Sequence, residues 1–187
     1  MPSPPLRPDL LARLEALHAE VDAAARPLAA RHAGRLHCRL GCTPCCVDGL
    51  TVFELEADRI RARAPEVLRQ PPHPAGACAF LGEGGACRIY DHRPYVCRTQ
   101  GLPLRWLEET DDGETVELRD VCPLNERADE PVETLPAGAC WTLGPVEGRL
   151  AGLARERDAA AGGEDPGGPA RERTPRRVAL RALFGDA

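Results

Sequence analysis

The chain has 187 residues, enough for one domain with a buried core, but it holds only three Phe, two Trp and two Tyr beside 18 Gly and 19 Pro. Large core-filling side chains are therefore scarce, and an additional stabiliser is expected. All 24 basic residues are arginine, which excludes the chemistry of a lysine amine: a Walker phosphate loop, a protein kinase or a pyridoxal phosphate Schiff base. The net charge of -5 at pH 7 argues against nucleic acid as a partner.

The first predicted element is an amphipathic helix near the amino terminus. Asp9 is placed to cap this helix, and Pro27 is expected to kink or end it. Its apolar residues are spaced by three and four positions and are Leu10, Leu14, Leu17, Val21, Ala24 and Leu28. Such a stripe predicts a helix that packs on the core of the domain.

The middle of the chain predicts short helices and strands between cysteine-rich loops. In chain order, the first predicted element is a helix over 53–68, followed by a small hairpin or knuckle formed by 77–81 and 87–90 around the sequence GEGG. A second hairpin formed by 102–107 and 115–118 comes next, and a helix over 146–160 is the last. Pro71, Pro72 and Pro74 end the first of these helices, and Pro145 stands at the start of the last.

The carboxy-terminal part of the chain changes composition twice. Residues 161–170 read AGGEDPGGPA and predict a linker. Residues 171–187 carry five arginines together with Val178, Leu180, Leu183 and Phe184, a short basic amphipathic segment. Docking of this tail on the domain is the first expectation, ahead of disorder or contact with a partner.

These elements predict an α+β fold: a small, irregular, cysteine-rich domain stabilised by metal, with flanking helices and short β-hairpins. The predicted organisation has three parts. An N-terminal helix packing on the core occupies residues 1–36, a cysteine-cluster metal-binding domain occupies 37–160, and a Gly/Pro linker with a basic tail occupies 161–187.

The expected location is the cytoplasm. The amino terminus lacks the apolar core of a signal peptide, and no stretch approaches the ~18 apolar residues of a membrane span, so no membrane partner is predicted. Cytoplasmic thiols are kept reduced. Nine cysteines in that compartment predict metal binding or catalysis rather than a disulfide framework.

The sequence CRLGCTPCC places four thiols within nine residues, at Cys38, Cys42, Cys45 and Cys46. Four cysteines in a polar loop would bury little surface, so core packing explains them poorly. Soft thiolates favour zinc, copper(I) or iron–sulfur clusters over hard cations. On a regular backbone Cys45 and Cys46 point in different directions, so they are expected to serve two metals, two irons of one cluster, or one ligand and one uncoordinated thiol.

Four further cysteines complete the predicted set of metal ligands. That set is Cys38, Cys42, Cys45, Cys46, Cys78, Cys87, Cys97 and Cys122. Eight thiols suffice for two four-cysteine sites, or for one cluster with a structural zinc. The expected cofactor is zinc or iron, with an iron–sulfur cluster among the possibilities. Cys140 stands alone and is expected to lie outside the ligand set.

On these residues the chain resembles the YkgJ-type cysteine-cluster family, described as a zinc- or iron-chelating domain. The matching residues are Cys38, Cys42, Cys45 and Cys46, then Cys78 with Phe80 and Leu81, then Cys87 with Ile89 and Tyr90, and then Arg93, Pro94, Cys97 and Arg98. The resemblance runs from about His37 to Cys122. It implies metal chelation, a small irregular fold and a metal ion as the partner, and it implies little about a substrate or a protein partner.

Charged residues beside the cysteines have two interpretations. Arg93 and Arg98 flank Cys97 and either offset the charge of metal-bound thiolates or form surface ion pairs. His37 and His92 adjoin the two clusters, and exposed loop histidines are favoured there over additional ligands.

Enzymatic alternatives use the same cysteines, so the sequence leaves catalysis open. Cys38, Cys42 and Cys45 have the spacing found in radical S-adenosylmethionine enzymes, and the family's flagellin methylase relatives add a resemblance in that direction, but no succession of βαβ units is predicted. Cys42 and Cys45 also resemble the redox pair of thioredoxins, but the buried strand that should precede them is missing. A zinc-binding interaction module is the non-enzymatic alternative.

Overall fold

The computed structural model describes residues 7–160 and 174–185. The α-helices in these residues are Pro8–Arg31 (α1), Glu54–Arg63 (α2), Pro65–Leu68 (α3), Tyr95–Arg98 (α4) and Pro145–Ala160 (α5). The strands are Thr51–Phe53 (β1), Leu104–Glu109 (β2), Thr115–Asp120 (β3), Trp141–Thr142 (β4) and Arg177–Ala179 (β5). This mixture confirms the predicted α+β class. The predicted linker at 161–170 lies outside the described residues.

The described chain divides into two compact units. The first unit comprises residues 7–17, 40–94, 149–160 and 174–185. The second unit comprises residues 18–39 and 95–148. The domain boundaries predicted at residues 36 and 160 stay predictions.

Helix α1 confirms the first predicted element with three corrections. Its buried stripe continues from Val21 to Ala25, whereas Ala24 is exposed, because four residues come closer than three to one turn of 3.6. Asp9 lies within the first turn rather than at the cap, and the helix runs through Pro27 to Arg31. A proline lacks only its own N–H, and hydrogen bonding resumes with His32 N donating to Leu28 O at 3.0 Å. Among the described residues, no helix has the length and apolar character needed to cross a membrane.

The single helix predicted over 53–68 is divided in two. Phe53 belongs to β1, and helix α2 ends before Ala64, which has the non-helical angles φ −135° and ψ 44°. Pro65 then begins α3 at its first position. The cause is the proline ring, which disfavours a helical conformation in the preceding residue and suits the first turn of a new helix.

The core of the first unit joins α2, the second cysteine segment and the carboxy-terminal tail. Its buried members are Val52, Ala57, Ile60, Ala64, Phe80, Ile89, Leu180 and Leu183. Strand β5 pairs antiparallel with β1, with Val52 opposite Val178. The described part of the tail therefore docks on the domain, as predicted, because Leu180 and Leu183 bury apolar surface in this core.

The segment between Cys78 and Tyr90 forms a knuckle rather than a regular hairpin. A single antiparallel bridge joins Leu81 to Cys87. The intervening GEGG sequence includes Gly84 and Gly85, both with positive φ. Cys78 and Cys87 are half-buried and pack against the core of the first unit, which fixes their backbone beside Phe80 and Ile89.

The second unit is built on a three-stranded sheet in the order β3-β2-β4. Strands β2 and β3 form the second predicted hairpin, with Leu104 opposite Asp120, and β4 runs parallel to β2. A small core of Val121, Val132, Leu135, Ala139 and Cys140 completes the unit. Cys140 is 5% exposed and thus has the packing position expected of a cysteine outside the ligand set.

Candidate metal centre

The loop that carries Cys42, Cys45 and Cys46 turns sharply. Cys46 N donates a hydrogen bond to Thr43 O at 2.8 Å, which closes a turn over Pro44 and Cys45. The thiols of Cys45 and Cys46 come within hydrogen-bond range of each other. The two side chains were expected to diverge on a regular backbone. The turn overcomes that divergence, because its dihedral angles differ from those of a helix or a strand.

A backbone hydrogen bond joins this loop to the second cysteine segment. Cys78 N donates to Cys46 O at 2.8 Å, so the two segments meet at their cysteines. Gly85 of the knuckle lies so close to the loop that a Cβ at this position would stand 2.9 Å from Gly41 Cα and from Thr43 Cγ2. Only a glycine allows that approach, since Gly85 also has φ +76°.

The Cys46 thiol lies within electrostatic range of three other thiols of the first unit, those of Cys45, Cys78 and Cys87. Burial, reinforced by the neighbouring groups of Cys45, Cys78 and Cys87, raises the pKa of the Cys46 thiol to about 12. Burial is also the largest cause that raises the pKa of Cys87, and Cys78 adds to it, while a hydrogen bond from Ile89 and the charges of Arg93 and Arg88 oppose the rise. The Cys46 and Cys87 thiols are therefore harder to ionise than an ordinary cysteine.

The four thiols are neighbours without converging on one point. Within residues 7–160 and 174–185, no three His, Cys, Asp or Glu side chains stand close enough together to make a finished metal site. The nine cysteines are all thiols in the structure. Their chemistry nevertheless fits a soft metal, because a group of sulfur donors on joined loops is the donor set that zinc and iron–sulfur clusters use.

Arg181 of the docked tail ties the two cysteine loops together. Its Nε donates to Oδ1 and Oδ2 of Asp48 at 2.8 and 3.0 Å. The rest of the guanidinium donates to the carbonyls of His73, Pro74 and Ala77, immediately before Cys78. The hydrogen bonds from Arg181 are the main reason that the pKa of Asp48 falls to about 2. One side chain thereby connects the backbone beside Cys46 to the backbone beside Cys78.

The second unit holds Cys38, Cys97 and Cys122. Cys97 lies in α4, and Cys122 precedes a tight turn in which Asn125 N donates to Cys122 O at 2.7 Å. Cys38 is exposed, but its sulfur is in contact with two residues of the same unit. Asn125 Nδ2 donates to Cys38 Sγ at 3.6 Å, and a Cβ on Gly101 would stand 2.4 Å from that sulfur.

Neither Asn125 nor Arg181 was identified from the sequence as a site residue. Asn125 is the only asparagine in the chain and follows Cys122 by three positions, which is the signal that could have found it. Arg181 is one arginine among five in the tail, and nothing in its neighbours distinguishes it. Its role depends on contacts more than a hundred residues away along the chain.

Of the two flanking arginines, one lies near a thiol and the other forms an ion pair. Arg93 lies near enough to Cys87 to lower the pKa of that thiol, and its guanidinium stacks on Tyr90 at 4.1 Å from the ring centre. Arg98 forms an ion pair with Asp22 in the second unit. His37 is exposed, and its backbone N–H, rather than its ring, contacts Asn125.

Comparison with known proteins supports the metal-binding interpretation. Residues 37–123 match the family model CxxCxxCC, described as a putative zinc- or iron-chelating domain. No curated protein and no solved structure matches the chain. The matched segment includes all eight predicted ligands and leaves Cys140, Asn125 and Arg181 outside. The family that the cysteine pattern resembles is thus the one whose model matches residues 37–123.

Proposed function

We propose that this chain binds zinc or iron through cysteine thiolates, with its principal site in the first unit. The ligands of that site are Cys45, Cys46, Cys78 and Cys87. The observation that carries the proposal is that the Cys46 thiol lies within electrostatic range of Cys45, Cys78 and Cys87, where two loops are joined by a backbone hydrogen bond. Cys38, Cys42, Cys97 and Cys122 complete the proposed ligand set of eight.

Electrostatics explain why such a group favours a cation. Several thiolates crowded together repel one another, and partial burial removes the water that would screen them, so without metal they stay protonated. A bound divalent metal reverses this balance, because its charge stabilises each thiolate that it contacts. The metal thus replaces protons, and the energy of each metal–sulfur bond adds to the contacts that already join the loops.

The metal is proposed to stabilise the fold of the first unit as well as to occupy its cysteine site. The first unit contains Phe53, Phe80 and Phe184 but no tryptophan, so its core is short of large side chains. Cys78 and Cys87 pack directly against that core. A metal that linked them to Cys45 and Cys46 would connect the core to the turn at residues 43–46.

Zinc and an iron–sulfur cluster remain the two forms of this proposal. A single zinc ion requires its thiolates at the corners of one tetrahedron, whereas a cluster offers several irons to neighbouring thiolates such as Cys45 and Cys46. A reducing compartment such as the cytoplasm would keep all these thiols available for either.

Anaerobic purification followed by elemental analysis and an absorption spectrum tests the proposal directly. Stoichiometric iron with visible absorption bands would identify a cluster, and stoichiometric zinc in a colourless protein would identify a tetrathiolate site. A folded, freshly purified protein that contained neither element, and bound neither on addition under reducing conditions, would overturn the proposal.

The enzymatic alternatives gain no support from the fold. Cys42 lies in irregular backbone and Cys45 in a turn, whereas a thioredoxin-like pair would have its reactive thiol activated at the first turn of a helix. A radical S-adenosylmethionine enzyme is expected to be built from βαβ units. In the part of the chain that the structure describes, the strands form two small sheets that contain no such unit.

A further inference from the structure

Asn125 is a buried amide that contacts three different groups of the second unit. It is 1% exposed. Its Oδ1 accepts a hydrogen bond from the backbone N–H of His37 at 2.9 Å. Its Nδ2 donates to Gly101 O at 2.9 Å and to Cys38 Sγ at 3.6 Å. The side chain therefore holds together the first cysteine loop and the segment after α4.

The backbone partners fix which way the amide faces. His37 N can only donate and Gly101 O can only accept, so Oδ1 must face the former and Nδ2 the latter. The second N–H of Nδ2 is then left for the sulfur. Arg35 Nη1 donates to Asn125 O, and the Cys122 turn holds Asn125 N, so the residue's backbone is fixed as well.

Gly101 also confines the same sulfur. A Cβ at position 101 would stand 2.4 Å from Cys38 Sγ and 3.3 Å from Asn125 Nδ2, and Gly101 has φ +93°. No side chain larger than hydrogen fits that space. The sulfur of Cys38 thus occupies a defined place even though the residue is largely exposed.

We propose that Asn125 is a positioning residue for Cys38 as a metal-binding thiolate: it fixes the sulfur and withdraws electron density from it through the N–H···S hydrogen bond. This proposal rests on the metal binding proposed above. Hydrogen bonds to metal-bound sulfur tune the metal's properties, and a hydrogen bond strengthens when its acceptor is charged. A neutral amide supplies the donor without adding a charge that would compete with the metal.

Cobalt(II), added to the reduced, metal-free full-length protein, gives a direct spectroscopic test. The informative variant is Asn125→Asp, which keeps the shape and the acceptor for His37 N but replaces the N–H donors with a carboxylate. We expect the sulfur-to-cobalt charge-transfer band to move to lower energy, because the Cys38 thiolate becomes a stronger electron donor. The control is Val132→Ala, which truncates a buried side chain of the same unit and should leave the band unmoved.

A double variant isolates the sulfur contact. In a Cys38→Ser background, Asn125→Asp should leave the cobalt spectrum of the single Cys38→Ser variant unchanged, because the affected ligand is gone. An equal band shift with and without Cys38 would overturn the proposal, as would an unmoved band in Asn125→Asp protein that binds cobalt through thiolates.

A measurement on the unaltered chain covers the case in which Asn125→Asp fails to fold. Labelling with ¹⁵N-asparagine gives one side-chain amide pair, since Asn125 is the only asparagine. On addition of cadmium(II), one of the two Nδ2 protons should shift downfield in the wild-type chain and not in Cys38→Ser. Cadmium binding with both protons unmoved would overturn the role of Asn125 alone. A chain that bound neither cobalt nor cadmium through thiolates would overturn the proposed function itself.

Discussion

The two units hold their cysteines in opposite ways. In the first unit several thiols crowd together, and what fixes them is the backbone of the loops that carry them: the Cys46–Cys78 hydrogen bond, the close approach of Gly85 and the guanidinium of Arg181. In the second unit the sulfur of Cys38 is itself held, by an amide N–H of Asn125 and by the close approach of Gly101.

The contrast separates two requirements of a thiolate metal site. Crowded sulfurs make one another harder to ionise even where a backbone N–H donates to one of them, as Ile89 does to Cys87, so we expect the first unit to depend on a metal. A sulfur that already accepts an N–H has part of its charge compensated and its position set before any metal arrives. We therefore expect metal removal and changes in the cysteines to disturb the first unit most.

The largest expected effect is the loss of metal. Cys46→Ser removes the thiol that interacts with those of Cys45, Cys78 and Cys87. We expect this variant to lose stoichiometric metal at the principal site and to melt at a markedly lower temperature. Structural metal sites contribute about 10 kcal/mol or more when they form from an unfolded chain. Elemental analysis and calorimetry, before and after chelation, measure both quantities.

Cys140→Ser is the matched control for this prediction. Cys140 is buried in the core of the second unit, so its replacement introduces a buried hydroxyl and lowers stability modestly while leaving the metal content intact. Equal metal content in the two variants would show that Cys46 is not a ligand. An unchanged melting temperature after verified removal of the metal would contradict its structural role.

The next largest effect is expected from Gly85→Ala. The new Cβ would press on Gly41 Cα and Thr43 Cγ2 at 2.9 Å, and the residue would have to keep a positive φ, so we expect a loss of about 3 kcal/mol. Metal affinity should fall with it, because the knuckle and the loop can no longer meet.

Gly113→Ala provides the comparison for this substitution. Gly113 also has positive φ, at +82°, but no atom lies within 4 Å of the position its Cβ would take, so only the backbone penalty of about 1 kcal/mol applies. Chemical denaturation of the two variants measures the difference. If they lost the same stability, the close packing of the two loops would not be a determinant of the site.

A smaller effect is expected when Arg181 is changed. Arg181→Ala removes the bonds to Asp48 and to three carbonyls, so both cysteine loops lose their shared anchor and the principal site should bind zinc about tenfold more weakly, a change of about 1.4 kcal/mol. Arg181→Lys should restore little, since an ammonium cannot reach these acceptors together. A competition titration with a zinc chelator measures the affinity.

Arg177→Ala tests whether this effect belongs to Arg181 or to the tail in general. Arg177 lies in β5 of the same segment but contacts Thr51 and the ring of Phe53, away from the thiols. Its loss should leave zinc affinity unchanged. A similar weakening in both variants would assign the effect to docking of the tail and not to the anchor between the loops.

Sequence patterns predicted the local elements well because those elements depend on near neighbours. The stripe of α1, the hairpin of β2 and β3, and helix α5 follow from spacing and turn residues, and the division of 53–68 was readable from the Ala64–Pro65 pair. The spacing of the cysteines also predicted a metal-ligand set, which stays a prediction. The roles of Asn125 and Arg181 were not predicted, because both arise from contacts between segments far apart in the chain.

The smallest predicted effect concerns an ion-pair network of the second unit, in which Arg105 and Arg119 hold Glu117. Hydrogen bonds from Arg119 and then from Arg105 lower the pKa of Glu117 on the β2–β3 hairpin. A depressed pKa in the folded state means that the contribution to stability is fully present above the ordinary range of a glutamate, above about pH 5, and is lost as the pH falls through the lowered value. Glu117→Gln should therefore melt slightly below the wild-type chain at neutral pH, and the gap should close in acid.

Glu109→Gln is the control: it removes a carboxylate opposite Thr115 on the same hairpin and leaves the bonds of Arg105 and Arg119 to Glu117 in place, so its melting temperature at neutral pH should match that of the wild-type chain. Melting curves between pH 7 and acid, recorded with and without a chelator, measure both variants. Because Arg105, Arg119 and Glu117 all lie on the β2–β3 hairpin, the Glu117→Gln gap should have the same size whether or not the metal is bound. A gap that appeared only in the metal-loaded protein would show that the second unit, too, depends on metal for its fold, and the contrast between the two units would not hold.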